Sequence, residues 1–206
     1  KTIGQGLEEM DKIASETLDD TFRTALSGDS KDYRESSSSL MFAFILALVL
    51  IYLILAAQFE RFKDPCIIML TVPLAIAGAL IFMFAGGITM NIFSQIGIIM
   101  LIGLVAKNGI LIVEFANLKQ ESGEDKMAAI RNAALQRLRP ILMTSVSTIL
   151  GLIPLAFATG EGANQRIAMG TAVVGGMLVS TLLTMYIVPA IYTYISTNRK
   201  VKTETV

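Results

Sequence analysis

The sequence predicts an all-α polytopic membrane protein of five transmembrane helices, preceded by a short α+β remnant of a water-exposed domain. Three observations predict it. Of the 206 residues, 53% are hydrophobic. The 17 basic and 17 acidic side chains are absent from four long runs, 36–59, 65–106, 140–160 and 167–198. A crossing helix needs about 20 mostly apolar residues, and the second run is long enough for two. Basic residues, finally, gather in alternate connections, as successive crossings require.

The elements follow in chain order. In 1–35, Ile3, Leu7, Met10, Ile13, Ala14 and Leu18 recur at helical spacing with acids opposite, an amphipathic helix that Thr2 would cap. "TFRTAL" after it reads as a short strand. The apolar face of that helix needs a partner that so little soluble chain does not supply. Residues 1–35 are therefore expected to be the tail of a larger exposed domain, and the chain a piece of a longer polypeptide. "ESSSS" (35–39) reads as the linker into the membrane domain, 36–198.

The crossings are expected at about 40–59, 65–85 with Pro73 as a kink, 92–117, 140–159 and 167–196. A hydrophilic stretch, 118–139, joins the third and fourth; part of it, "DKMAAIRNAALQRL", has a helical pattern. Arg61 and Lys63 lie in one connection, Lys119, Lys126, Arg131, Arg137 and Arg139 in another, and Arg199, Lys200 and Lys202 in the tail, 199–206. The turn before residue 92 has no charge, and the turn before 167 has only Glu161 and Arg166. These biases place 118–139 and the C-terminus in the cytoplasm, with 1–35 on the far side.

Composition narrows the function classes. One cysteine, Cys66, precludes a disulfide within the chain, and no histidine is present for a zinc site of the usual kind. No phosphate-binding glycine loop and no nucleophile–base set is visible, so neither an ATP motor nor an enzyme is expected. Nothing points to nucleic acid.

The informative stretch is "LIGLVAKNGILIVEFAN" (101–117). It carries Lys107 near the centre of an expected crossing, where insertion costs about 2.5–3.5 kcal/mol. Such a group needs protein, water or an opposite charge beside it. Glu114 shares its face, but seven residues are about 10.5 Å of rise, and Glu114 sits near the boundary, where hydration would serve it. No other acid falls inside an expected crossing, so the counter-charge is expected from outside this chain. A lysine facing a carboxylate in a dry bundle is a proton-binding device, because the cation lowers the acid's pKa while desolvation raises it. Asn108 beside it wants an interhelical partner. Thr144, Ser147 and Thr148, with Gly151 a turn further, line one face of the fourth helix. They suit either close helix packing or a hydrated proton path. Ala75, Gly78, Ala79, Gly170, Gly175 and Gly176 read as close-packing positions.

"QFERFKDP", "VPLAIAGAL", "GLVAKNGILIVEFAN", "RLRPILMTS" and "GLIPLAFATG" together resemble the resistance-nodulation-division efflux permeases, in particular their hydrophobe/amphiphile, multidrug branch. The likeness runs over about residues 40–195, and 1–35 resembles the end of that family's second periplasmic loop, in the porter domain. It implies membrane helices eight to twelve of twelve in a proton-driven antiporter, a homotrimer of the inner membrane working with a periplasmic adaptor protein and an outer-membrane channel. No cofactor is implied, the proton being the coupling ion. The family pairs two aspartates on its fourth helix, in the N-terminal half absent here, with a lysine matched by Lys107. Thr144 and Arg137 match its other relay positions. Exporters of metal ions or lipids on the same fold, or a non-transporting scaffold or sensor, are the alternatives.

Overall fold

The computed structural model describes residues 3–19 and 21–196. Seven helices account for nearly all of it: α1 Ile3–Thr17, α2 Asp29–Phe59, α3 Lys63–Met69, α4 Thr71–Ala85, α5 Ile92–Glu121, α6 Lys126–Ala156 and α7 Ala163–Ile195. Five spans are long and apolar enough to cross a membrane: 39–59, 63–85 (α3 with α4), 92–121, 126–156 and 163–195. Thr2 and the basic residues of the tail lie outside the described residues.

The N-terminal segment is helical and irregular rather than α+β. Residues 22–26 form no strand, and there is no strand among the described residues for them to pair with. Without a ladder to satisfy its N–H and C=O groups, this exposed stretch has no reason to extend. Helix α1 forms as its periodicity predicts, but Met10 and Ile13 stay exposed. It meets α2 through an ion pair, Arg34 to Asp11 at 3.0 Å. The expected linker, 35–39, lies inside α2. That helix starts after Gly28, whose φ of 61° suits a residue without a side chain, and ends at Glu60 in the left-handed region.

The second crossing is interrupted at Leu70, one turn ahead of Pro73. A proline ring clashes with the carbonyl four residues earlier, here Met69, so the disturbance appears upstream of the ring. Thr71 Oγ1 donates to the Ile68 carbonyl at 2.7 Å beside the break. Helix α5 opens on a capping box: Asn91 Oδ1 accepts from Ser94 N at 2.8 Å and Ser94 Oγ accepts from Asn91 N at 2.9 Å. The hydrophilic stretch 118–139 is largely helical. It extends α5 to Glu121 and starts α6 at Lys126, and only 122–125 lies between them. Asp125 caps α6 through Met127 N at 3.2 Å.

Helices α5 and α7 form the centre, with α4 and α6 packed on them and α2 applied through Leu55 and Phe59 at its far end. Lipid tails are as apolar as side chains, so close approach rather than water expulsion holds such helices together. The small residues serve that role. A Cβ on Gly176 would collide with Leu101 Cδ2, and one on Gly175 with Phe82 Cβ. One on Gly170 would meet the backbone of Leu155 and Ala156 at 2.6–2.7 Å, and one on Gly78 would meet Val179. Ala75 and Ala79 are fully buried in the same layer.

Candidate functional site

Lys107 stands at the middle of the 30-residue helix α5, on its exposed side. Ile96, Met100, Gly103, Lys107, Glu114 and Leu118 are exposed at three-, four- and seven-residue spacing and share that face. The ammonium group makes no hydrogen bond or ion pair among the described residues, and neither does the Glu114 carboxylate. Glu114 instead borders a shallow groove of about 220 Å³ with Gln58, Glu60 and Glu121. The two residues do not pair, as their separation along the helix predicts.

The neighbouring Asn108 points the other way. It is buried, and its Nδ2 donates to Ser145 Oγ of α6 at 3.2 Å and to Thr181 Oγ1 of α7 at 3.5 Å. Thr181 Oγ1 donates in turn to Ser145 Oγ at 3.2 Å. Three helices are thus tied together by polar groups directly behind Lys107. Thr144, next to Ser145, is at the same level but exposed, its hydroxyl returned to the Ile141 carbonyl at 3.1 Å. Thr148 donates to the Thr144 carbonyl at 2.8 Å, and Ser147 is exposed. A Cβ on Gly151 or Gly103 would meet nothing within 4 Å. The faces bearing Lys107 and Thr144 are therefore uncovered. Arg137 lies elsewhere. Its guanidinium sits 4.5 Å from the ring centre of Phe115, eight residues or about 12 Å along α5 from Lys107. Its Nε is buried with no hydrogen-bond partner.

A second polar cluster closes the end of the bundle where the basic residues collect. Asn117 Nδ2 donates to Asp64 Oδ2 at 3.0 Å, the Tyr192 hydroxyl donates to Asn117 Oδ1, and Gln120 Nε2 donates to the Tyr192 hydroxyl at 2.9 Å. All four side chains are buried, and they join α3, α5 and α7. Lys126 caps the last turn of α7 through the carbonyls of Thr193 and Ser196. No group of three or more metal-ligating side chains occurs among the described residues.

A family model described as the AcrB/AcrD/AcrF family matches residues 1–196. The chain belongs to this family. Among curated relatives, the toluene efflux pump membrane transporter TtgB of Pseudomonas putida is 39% identical over 195 residues, 95% of this chain and 18% of the relative. The multidrug resistance protein MdtF of Escherichia coli K12 is 43% identical over 158 residues, 76% of the chain and 15% of the relative. An uncharacterized transporter of Haemophilus influenzae is 38% identical over 204 residues, 96% of the chain and 20% of the relative. The chain thus spans a fifth or less of these relatives' length.

Within this family member, sequence reasoning found Lys107 and Asn108 but not the groups that Asn108 bonds. Ser145 lies one position from Thr144 and off the face shared by Thr144, Ser147 and Thr148, and Thr181 lies in "VSTLLT". Only the packing phase of α6 and α7 distinguishes them from their neighbours. Asp64, Asn117, Gln120 and Tyr192 gave a fainter signal, since polar residues near a helix end are ordinarily solvated.

The connector between α5 and α6 carries a titratable ion pair. Lys119 Nζ lies 2.8 Å from Glu124 Oε1, and Asn132 Nδ2 donates to Glu124 Oε2 at 2.9 Å. These bonds to Lys119 and Asn132 hold the Glu124 carboxyl below its usual range. A lowered carboxylate pKa stabilises the fold at pH above the unfolded value of about 4.3 and ceases to do so as pH falls through the folded value. Amide exchange in 122–125 should therefore be insensitive to acidification down to that range, after intrinsic rates are allowed for, and accelerate below it. The Glu124→Gln variant should lose the transition.

Proposed function

We propose that this chain is the C-terminal membrane portion of a proton-driven efflux antiporter for hydrophobic or amphiphilic compounds, and that it carries the lysine side of the proton relay. One observation carries the reading. A lysine stands mid-helix in an apolar crossing, on a face left uncovered, with no counter-charge among the described residues. An ammonium group at that depth is tolerated only beside an acid or water. The acid is assigned to an N-terminal half of the same polypeptide, where the family resemblance implies an aspartate pair on the fourth helix.

The chemistry follows from charge balance. An ionised carboxylate facing Lys107 forms an ion pair that holds the two halves together. Protonation neutralises the carboxylate, removes the attraction and frees Lys107 to shift, while Asn108, Ser145 and Thr181 keep α5, α6 and α7 moving as one body. Thr144, exposed on α6, is assigned to hydrogen-bond a water or the lysine as it moves. Arg137, stacked on Phe115 nearer the helix end, is assigned to the approach of the proton from solvent rather than to the pair itself. Exported compounds are read as binding in the periplasmic porter domain, outside this chain.

The same reading sets sidedness and assembly. Arg61, Lys63, Lys119, Lys126, Arg131 and Arg139 gather at one end of the bundle, and the turn at 86–91 at the other end has no charge. The basic end is assigned to the cytoplasm and α1 to the periplasm. The working unit is proposed to be a homotrimer engaged with a periplasmic adaptor and an outer-membrane channel. The test is transport by the full-length protein in vesicles. Export of an amphiphilic dye should require an imposed proton gradient and stop when a protonophore collapses it. Export that continues without the gradient would overturn the reading.

A further inference from the structure

We propose that the groove between α6 and α7 at the basic end of the bundle binds an anionic phospholipid, with Arg131 taking the headgroup phosphate. The groove holds about 770 Å³, within the roughly 300–1,000 Å³ usual for small-molecule sites. Its walls are mostly apolar, with Leu135 and Ala134 of α6 facing Met185, Tyr186 and Pro189 of α7. Arg131 lies at the same place and is exposed.

The charges around it make Arg131 the group available to a ligand. Asp125 is engaged in capping α6, and Lys126 is engaged with the Thr193 and Ser196 carbonyls. Arg131 makes no hydrogen bond or ion pair among the described residues. A guanidinium presents two parallel donors that match a phosphate, and basic pockets between membrane helices take anionic headgroups. The apolar walls continue beyond the groove in the direction an acyl chain would run. Leu178, Leu182 and Tyr186 are exposed at four-residue spacing along α7, and Leu135 and Leu138 are exposed on α6. Tyr186 and Tyr194, 78% and 89% exposed, are the amphipathic rings that favour the headgroup level. A face of this kind, apolar along its length with Arg131 free at its end among the described residues, fits a lipid better than a folded protein segment, which would need its own polar groups satisfied.

The experiment is native mass spectrometry of the delipidated full-length protein titrated with phosphatidylglycerol or, separately, with phosphatidylcholine. The parent should bind phosphatidylglycerol several-fold more tightly. Arg131→Gln should weaken phosphatidylglycerol binding about fivefold, the worth of one basic residue near a lipid surface, and leave phosphatidylcholine unchanged. Ala134→Trp, which fills the groove, should weaken both. Arg61→Gln, an exposed cation at the same end but outside the groove, should change neither. Unaltered phosphatidylglycerol binding in Arg131→Gln overturns the proposal. So does an effect of Arg61→Gln equal to that of Arg131→Gln, which would mean diffuse attraction. Insensitivity to Ala134→Trp also overturns it, as expected if another part of the polypeptide fills the groove.

Discussion

Replacing Lys107 by Met in the full-length protein should reduce proton-coupled efflux to that of vesicles without transporter, and the variant should still fold. Both halves of this expectation come from the side chain's position. Among the described residues the ammonium group touches no partner and lies on an exposed face, so its removal deletes no contact there, and the acid proposed opposite it can take up a proton rather than stay charged and unpaired. Met has a similar length and is content in an apolar bundle. What is lost is the charge that discriminates a protonated from an ionised carboxylate opposite. Leaving that acid without its cation also raises its pKa, so it stays protonated through the cycle. Lys107→Arg keeps the charge but spreads it over a planar fork, and should retain only part of the activity. Efflux measured in vesicles, alongside the thermal midpoint in detergent, checks both halves. Coupled efflux at the parent rate in Lys107→Met would remove the relay from the account.

The second large effect concerns stability. Asn117→Leu should destabilise the bundle by about 2–4 kcal/mol, because it removes a buried hydrogen bond to a charged group, worth about 1.5–3 kcal/mol, and a neutral one, worth about 0.5–1.5 kcal/mol. The Asp64 carboxylate loses a donor at 3.0 Å, and the Tyr192 hydroxyl loses the carbonyl oxygen it donates to. Leu keeps the branched four-atom shape of the Asn side chain, with bulkier methyl ends. Tyr192→Phe removes two neutral bonds, to Asn117 and from Gln120, and no bond to a charged group, and should cost less, about 1–2 kcal/mol. The two effects should not add, since they share a network. Thermal unfolding of the full-length variants in one detergent measures the order. Asn117→Leu as stable as the parent would show that the cluster is solvated rather than buried.

The five crossings were legible because charge-free runs of that length have few other uses, and the solvent of the membrane enforces helices within them. Lys107 was legible for the same reason: a cation has to be explained there. What the sequence concealed depends on neighbours. "ESSSS" looks like a linker by composition, yet serine costs only about 0.5 kcal/mol in a helix interior, and a helix already nucleated runs through it. "TFRTAL" has some strand character but no strand among the described residues to pair with. Pro73 announced a disturbance whose position, Leu70, follows from which carbonyl the ring strikes. On α6, Thr144 and Ser145 differ by one position. Only the packing of α5 and α7 decides that Ser145 meets Asn108 while Thr144 faces outward.

If Lys107 answers to an acid elsewhere in the same molecule, a high-resolution structure of the full-length protein at neutral pH should show it. The Lys107 ammonium should lie within about 4 Å of a membrane-embedded carboxylate, the limit for an ion pair. An ammonium group open to bulk water, with no carboxylate near it, would contradict it.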